Sequence, residues 1–124
     1  MNERDLLDKR VLPIINDSEN SLYISTISIQ EAIHLYHVGK VKGKWKTAND
    51  ILKSIAELDI SIIPVKREHL LTFASLVISS GHNDPNDHVI ISQAISEKIP
   101  VISSDRQFEH YRDQKLDFIF NKKK

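Results

Sequence analysis

Strand-length apolar runs recur along this chain, and a stretch of helical spacing separates each from the next. The runs at 22–26, 60–64, 100–103 and 116–120 are rich in Ile, Val, Phe and Tyr, and the first three each lead into a segment with apolar residues three or four apart. Strands joined through helices pair in parallel, because a parallel neighbour needs a crossover rather than a hairpin. The pattern therefore predicts an α/β fold with a mainly parallel sheet and helices on both faces. At 124 residues the chain is long enough for one core, and 1–124 is expected to be a single domain.

The helices are expected at 4–17, where Pro13 bends or shortens the first, then at 28–39, 47–58, 67–79, 84–98 and 106–111. Ser28-Ile29-Gln30-Glu31 reads as a capping box opening the second of these, with Gly39 ending it and Gly81 stopping the helix at 67–79. Asp84-Pro85 opens the next, with proline at its favoured first position.

Composition narrows the function. Lys plus Arg and Asp plus Glu are 17 each, so there is no overall positive charge to hold nucleic acid and any such binding needs a local patch or a metal. Cysteine is absent, which removes disulfides and thiolate metal sites. The opening Met1-Asn2-Glu3-Arg4-Asp5 is charged and no apolar stretch reaches the ~20 residues of a membrane span. A cytoplasmic protein without membrane contact is expected.

Acidic residues gather where strand-like runs give way to helices: Glu31 after the first run, Asp84 and Asp87 at the start of the helix 84–98, and Asp105 closing Val101-Ile102-Ser103-Ser104. In a parallel sheet the carboxyl ends of the strands share one edge, where open α/β folds bind ligands. Taken singly, each acid has a structural reading: Glu31 as the reciprocal residue of a capping box, Asp84 and Asp105 as N-caps, Asp87 as a first-turn acid favoured by the helix dipole. Taken together, carboxylates at one edge repel unless a cation sits among them, and oxygen ligands suit Mg²⁺ or Mn²⁺. The chain thus reads as a candidate metal-dependent phosphodiesterase.

The order and spacing of Leu22-Tyr23-Ile24-Ser25 through Ser28 to Glu31, Ile62-Ile63-Pro64, Asn83-Asp84-Pro85-Asn86-Asp87, and Val101 to Asp105 with Phe108 and Tyr111 resemble the PIN domain. The resemblance is nearest to the small VapC-like toxins of bacterial toxin–antitoxin pairs. It implies a single-strand ribonuclease in which Glu31, Asp87 and Asp105 are catalytic metal-site acids, Asp84 is an auxiliary metal-site acid and Ser103 is a hydroxyl beside the last of them. It also implies an antitoxin partner and a homodimer. PIN domains open with an apolar central strand ending in Asp, which this sequence lacks: it begins in what resembles the family's second helix. The resemblance leads us to expect that the chain is N-terminally truncated by roughly 20 to 25 residues, the length of a strand, turn and helix, and that this form is a poor nuclease.

Among other candidates, Lys42, Lys44 and Trp45 lie in a basic loop that would grip a phosphate backbone and stack a base, with a merely solvated loop as the alternative. His82 and His88 flank the acidic edge. His34, His37, His69 and His110 read as surface or partly packed residues, and Glu31 with His34 supplies only one of the two Glu-x-x-His pairs a di-iron bundle needs. The rival to the nuclease is a non-catalytic PIN-like protein that binds an antitoxin or its own copy.

Overall fold

The computed structural model describes residues 11–17, 19–40 and 45–122. They fall into two compact units: Ser21–Val65, and the residues up to Asn20 together with those from Lys66 onward.

The first unit is built as strand, two helices, strand. β1 (Tyr23–Ser25) pairs in parallel with β2 (Ser61–Ile63), with Tyr23 opposite Ser61 and Ser25 opposite Ile63. Between them run α2 (Thr26–His37) and α3 (Ala48–Glu57); α1 (Leu12–Asn16) belongs to the second unit. Ile29, Ile51 and Ile55 are buried at the centre, and Ile24, Ile33, Tyr36, Trp45 and Ile60 pack around them. Asp50 opens α3 by accepting the backbone N–H groups of Lys46 and Thr47 at 2.9 and 3.0 Å. Those two bonds hold its carboxyl below the ordinary value.

The start of α2 corrects the sequence reading. Ser25, not Ser28, is the N-cap: its hydroxyl accepts the Ile27 N–H at 3.1 Å. The strand passes straight into the helix, so Glu31 lies in the second turn and takes no part in a capping box. The far end is as expected. Gly39, at φ +74°, follows the last turn while its N–H bonds Tyr36 O and the Lys40 N–H bonds Leu35 O, which is a Schellman closure.

The second unit carries α1, α4 (Arg67–Ser75), α5 (Pro85–Glu97), β3 (Val101–Ser103), a 3₁₀ helix (Arg106–Gln114) and β4 (Phe118–Phe120). β3 and β4 pair in parallel, Val101 opposite Phe118 and Ser103 opposite Phe120. Ile91, Phe108, Tyr111, Leu116 and Phe118 form its core. Pro13 falls in the first turn of α1, where its missing N–H breaks no helical bond; residues 4–10 of that expected helix lie outside the described residues.

α4 stops at Ser75, four residues before the expected end. Three residues per turn bring Phe108, Tyr111 and Gln114 of the 3₁₀ helix onto one face, and the last two compete for the backbone beyond Ser75. Gln114 accepts the Val77 N–H and donates to Val77 O, both at 2.9 Å, and the Tyr111 hydroxyl accepts the Ser79 N–H at 3.0 Å. These bonds replace the helical ones. Gly81, at φ +84°, therefore serves the following turn rather than the end of α4.

Fold class agrees with expectation: α/β, with parallel strands connected through helices. α5 also closes on a Schellman pair, with Lys98 N–H to Ile95 O and Ile99 N–H to Ala94 O, but its left-handed residue is Lys98 at φ +57°. Lys115, at φ +73°, repeats the arrangement after the 3₁₀ helix. A side chain in this region costs about 1–2 kcal/mol, partly offset in glycine by its greater entropy loss on folding. Lys98→Gly is expected to stabilise the fold by about 0.5–1 kcal/mol, read as a higher urea midpoint at unchanged slope.

Candidate metal centre

Three groups of the second unit come together at the carboxyl end of β3 and the start of α5. Ligating atoms of His82, Asp87 and Asp105 all lie within 4.8 Å of one another. The acids are delivered by local rules. Asp105, two residues after β3, is the N-cap of the 3₁₀ helix, its Oδ1 accepting the Gln107 N–H at 2.9 Å, while its own N–H donates to the Ser103 hydroxyl at 3.0 Å. Asp84 caps α5 by accepting the Asn86 N–H at 3.0 Å, and Pro85 follows at the first position. Asp87 stands in the first turn, where the helix dipole favours negative charge.

His82 makes the site unlike a simple cluster of caps. Its side chain is 2% exposed, enclosed by the rings of His88, Phe108 and Tyr111. Nε2 lies 3.2 Å from Asp87 Oδ2, and Nδ1 lies 2.8 Å from the Tyr111 hydroxyl. His88 is buried behind it and donates from Nε2 to His82 O at 2.8 Å.

Burial raises the Asp87 carboxyl above its ordinary value of 3.8; the neighbouring Asp84 and Asp105 charges push it further up, and the His82 hydrogen bond offsets part of the rise. Burial is the largest of these causes. Two carboxylates with a third acid nearby form a hard oxygen donor set, the kind that holds Mg²⁺ or Mn²⁺.

The remaining expected site residues are placed as follows. The Ser103 hydroxyl accepts the Asp105 N–H. Glu31, half-buried in α2, belongs to the other unit. So does Trp45, whose ring packs on the Ile29, Ile51 and Ile55 core and whose N–H donates to the Ser54 hydroxyl at 3.2 Å. Lys42 and Lys44 lie outside the described residues.

The histidine reading needs one correction. His69 is fully buried: Nδ1 accepts the Lys66 N–H at 2.9 Å and Nε2 donates to Glu97 at 2.7 Å. It takes the place a capping-box glutamate would occupy, a role its position three residues after Lys66 could have suggested. With Glu68 and Glu97 it forms a second grouping, but both its nitrogens are engaged.

These features bear directly on kinship. The family model of the PIN domain matches residues 3–114. The chain belongs to the PIN domain family. A chain in the crystal structure of VapBC2 from Rickettsia felis, bound to a DNA fragment from their promoter, shares this PIN fold at a TM-score of 0.59. It is 22% identical in sequence, and the match covers 90% of this chain and 80% of that one. No curated protein matches significantly. None of the helices among the described residues is long and apolar enough to cross a membrane.

The raised carboxyl has a signed consequence. Folding favours protonated Asp87, so the stability linked to this group is fully present below pH 3.8 and is lost as pH rises through the raised value. Asp87→Asn keeps an oxygen to accept from His82 and never ionises. In metal-free buffer it is expected to melt above the parent at neutral pH, with the two melting temperatures converging as pH falls below 3.8.

Proposed function

We propose that this PIN domain is a ribonuclease of the VapC-like toxin type, hydrolysing phosphodiester bonds of single-stranded RNA with Mg²⁺ or Mn²⁺ held by its carboxylates. The observation that carries the reading is the approach of Asp87 and Asp105, in reach of the Asp84 charge, at the edge where β3 ends. Two N-caps and a first-turn acid need not converge, and a half-buried carboxyl raised by burial and by neighbouring acids marks a candidate functional site.

Asp87 and Asp105 would bind the ion, and Asp84 would add negative charge from just outside. The family resemblance gives Glu31 the same role. Its place in the second turn of α2 removes the capping explanation for it. When bound, the divalent ion supplies charge to neutralise the transition state of phosphoryl transfer and lowers the pKa of water. The Ser103 hydroxyl, which accepts from Asp105 N–H, keeps a proton to offer a phosphate oxygen. The partners proposed are RNA, an antitoxin protein and a second copy of the chain; the structural similarity to a chain of VapBC2 favours the antitoxin.

One observation favours the second reading, a PIN-like protein that binds partners without catalysis. Leu70, Leu71, Val77 and Ile78 are each exposed along α4 and the segment after it, and exposed apolar surface of sufficient area is what a protein partner covers.

Calorimetry with Mg²⁺ and Mn²⁺, followed by cleavage of a labelled single-stranded RNA, separates the two. The nuclease reading expects divalent binding and cleavage that a chelator stops. Asp87→Asn and Asp105→Asn should each slow cleavage by about 10²-fold or more, as loss of one electrostatic group at a reacting centre does. Cleavage indifferent to both substitutions, or a chain that binds no divalent ion, would rule it out.

A further inference from the structure

We infer that Tyr111 and His82 are positioning residues for Asp87, a buried hydrogen-bond relay that fixes the orientation of its carboxylate for a divalent ion. The inference rests on the function proposed above and deepens it.

Donor and acceptor counting gives the relay its direction. The Tyr111 oxygen accepts the Ser79 N–H at 3.0 Å and has one proton to give. The acceptor within reach is His82 Nδ1, at 2.8 Å. A neutral imidazole that accepts at Nδ1 carries its proton on Nε2, and Nε2 faces Asp87 Oδ2 at 3.2 Å. Every atom from Ser79 N–H to the carboxylate then has a compatible partner.

The relay is held at both ends. Tyr111 is fully buried in the core with Ile91, Phe108, Leu116 and Phe118. The His82 ring meets His88 edge-on at 4.7 Å between centroids, and its backbone oxygen accepts from His88 Nε2. A half-buried carboxylate in the first turn of α5 is thereby tied to the core of the unit.

The same geometry argues against His82 as a metal ligand. Its Nε2 lone pair is replaced by a proton in this tautomer, and the ions that suit the neighbouring carboxylates prefer oxygen. Partners of metal ligands typically contribute 10–100-fold to affinity, and that is the scale to look for.

The test combines long-range ¹H–¹⁵N spectra of the histidines with Mg²⁺ calorimetry on the parent, Tyr111→Phe, His82→Gln and His82→Leu, each checked for folding by circular dichroism. In the parent, His82 should be the Nε2–H tautomer, both without and with Mg²⁺. Tyr111→Phe, which keeps the ring but not the hydroxyl, should give mixed tautomers and bind Mg²⁺ about 10–100-fold more weakly. His82→Gln, whose amide can still donate to Asp87, should retain more affinity than His82→Leu; a purely packing role would not produce that order. An Nδ1–H tautomer in the parent, a Nε2 that loses its proton when Mg²⁺ is added, or variants that bind as the parent does would each overturn the relay alone. A parent chain that binds no Mg²⁺ or Mn²⁺ would instead overturn the nuclease reading, and the relay with it.

Discussion

One phenol oxygen, buried at the centre of the larger unit, sets the arrangement around the acids. Tyr111 must satisfy its hydroxyl without water, since an unpaired buried polar group costs about 1–3 kcal/mol. It does so by taking a backbone N–H from the chain beyond α4 and turning its proton toward His82. That choice draws the 76–79 segment out of helix and over the 3₁₀ helix, and it presents the imidazole to Asp87. Among the described residues no buried side-chain nitrogen or oxygen lacks a partner. A fully satisfied polar network of this kind specifies one arrangement, because every alternative leaves some member unpaired.

Capping and catalysis need not compete for the same carboxylate. Asp84 and Asp105 each spend one oxygen on a backbone N–H two residues ahead, which fixes the side chain at the helix start. A carboxylate has a second oxygen and further lone pairs. A cap is thus also a means of holding an acid still at the edge of a sheet, and the backbone amides beside it ease the gathering of negative charge. Asp87 has no such anchor of its own in the backbone bonds of α5; His82 supplies one from the core side.

Much of the architecture follows from local chemistry, and much of it was legible. The parallel pairing follows from strands joined by helices, the start of α5 from Asp84-Pro85, and the end of α2 from Gly39. Boundaries failed where another part of the fold supplied the backbone's partners. Ser25 and Ser28 are equally plausible caps by composition, and the choice fell to the residue at which β1 ends its pairing with β2. The end of α4 went to Tyr111 and Gln114, more than 30 residues away along the chain.

The amino-acid sequence by itself determined the fold class and the placing of Asp84, Asp87 and Asp105 at helix starts, because periodicity, turn residues and cap residues act over a few positions. Only the tertiary structure decided that His69 and His82 are core residues, one bound to Glu97 and the other to Asp87. A histidine's burial depends on which donors and acceptors meet it across the fold, and no local pattern encodes that. The same reason explains the raised carboxyl of Asp87: desolvation and neighbouring charge are properties of the packed surroundings.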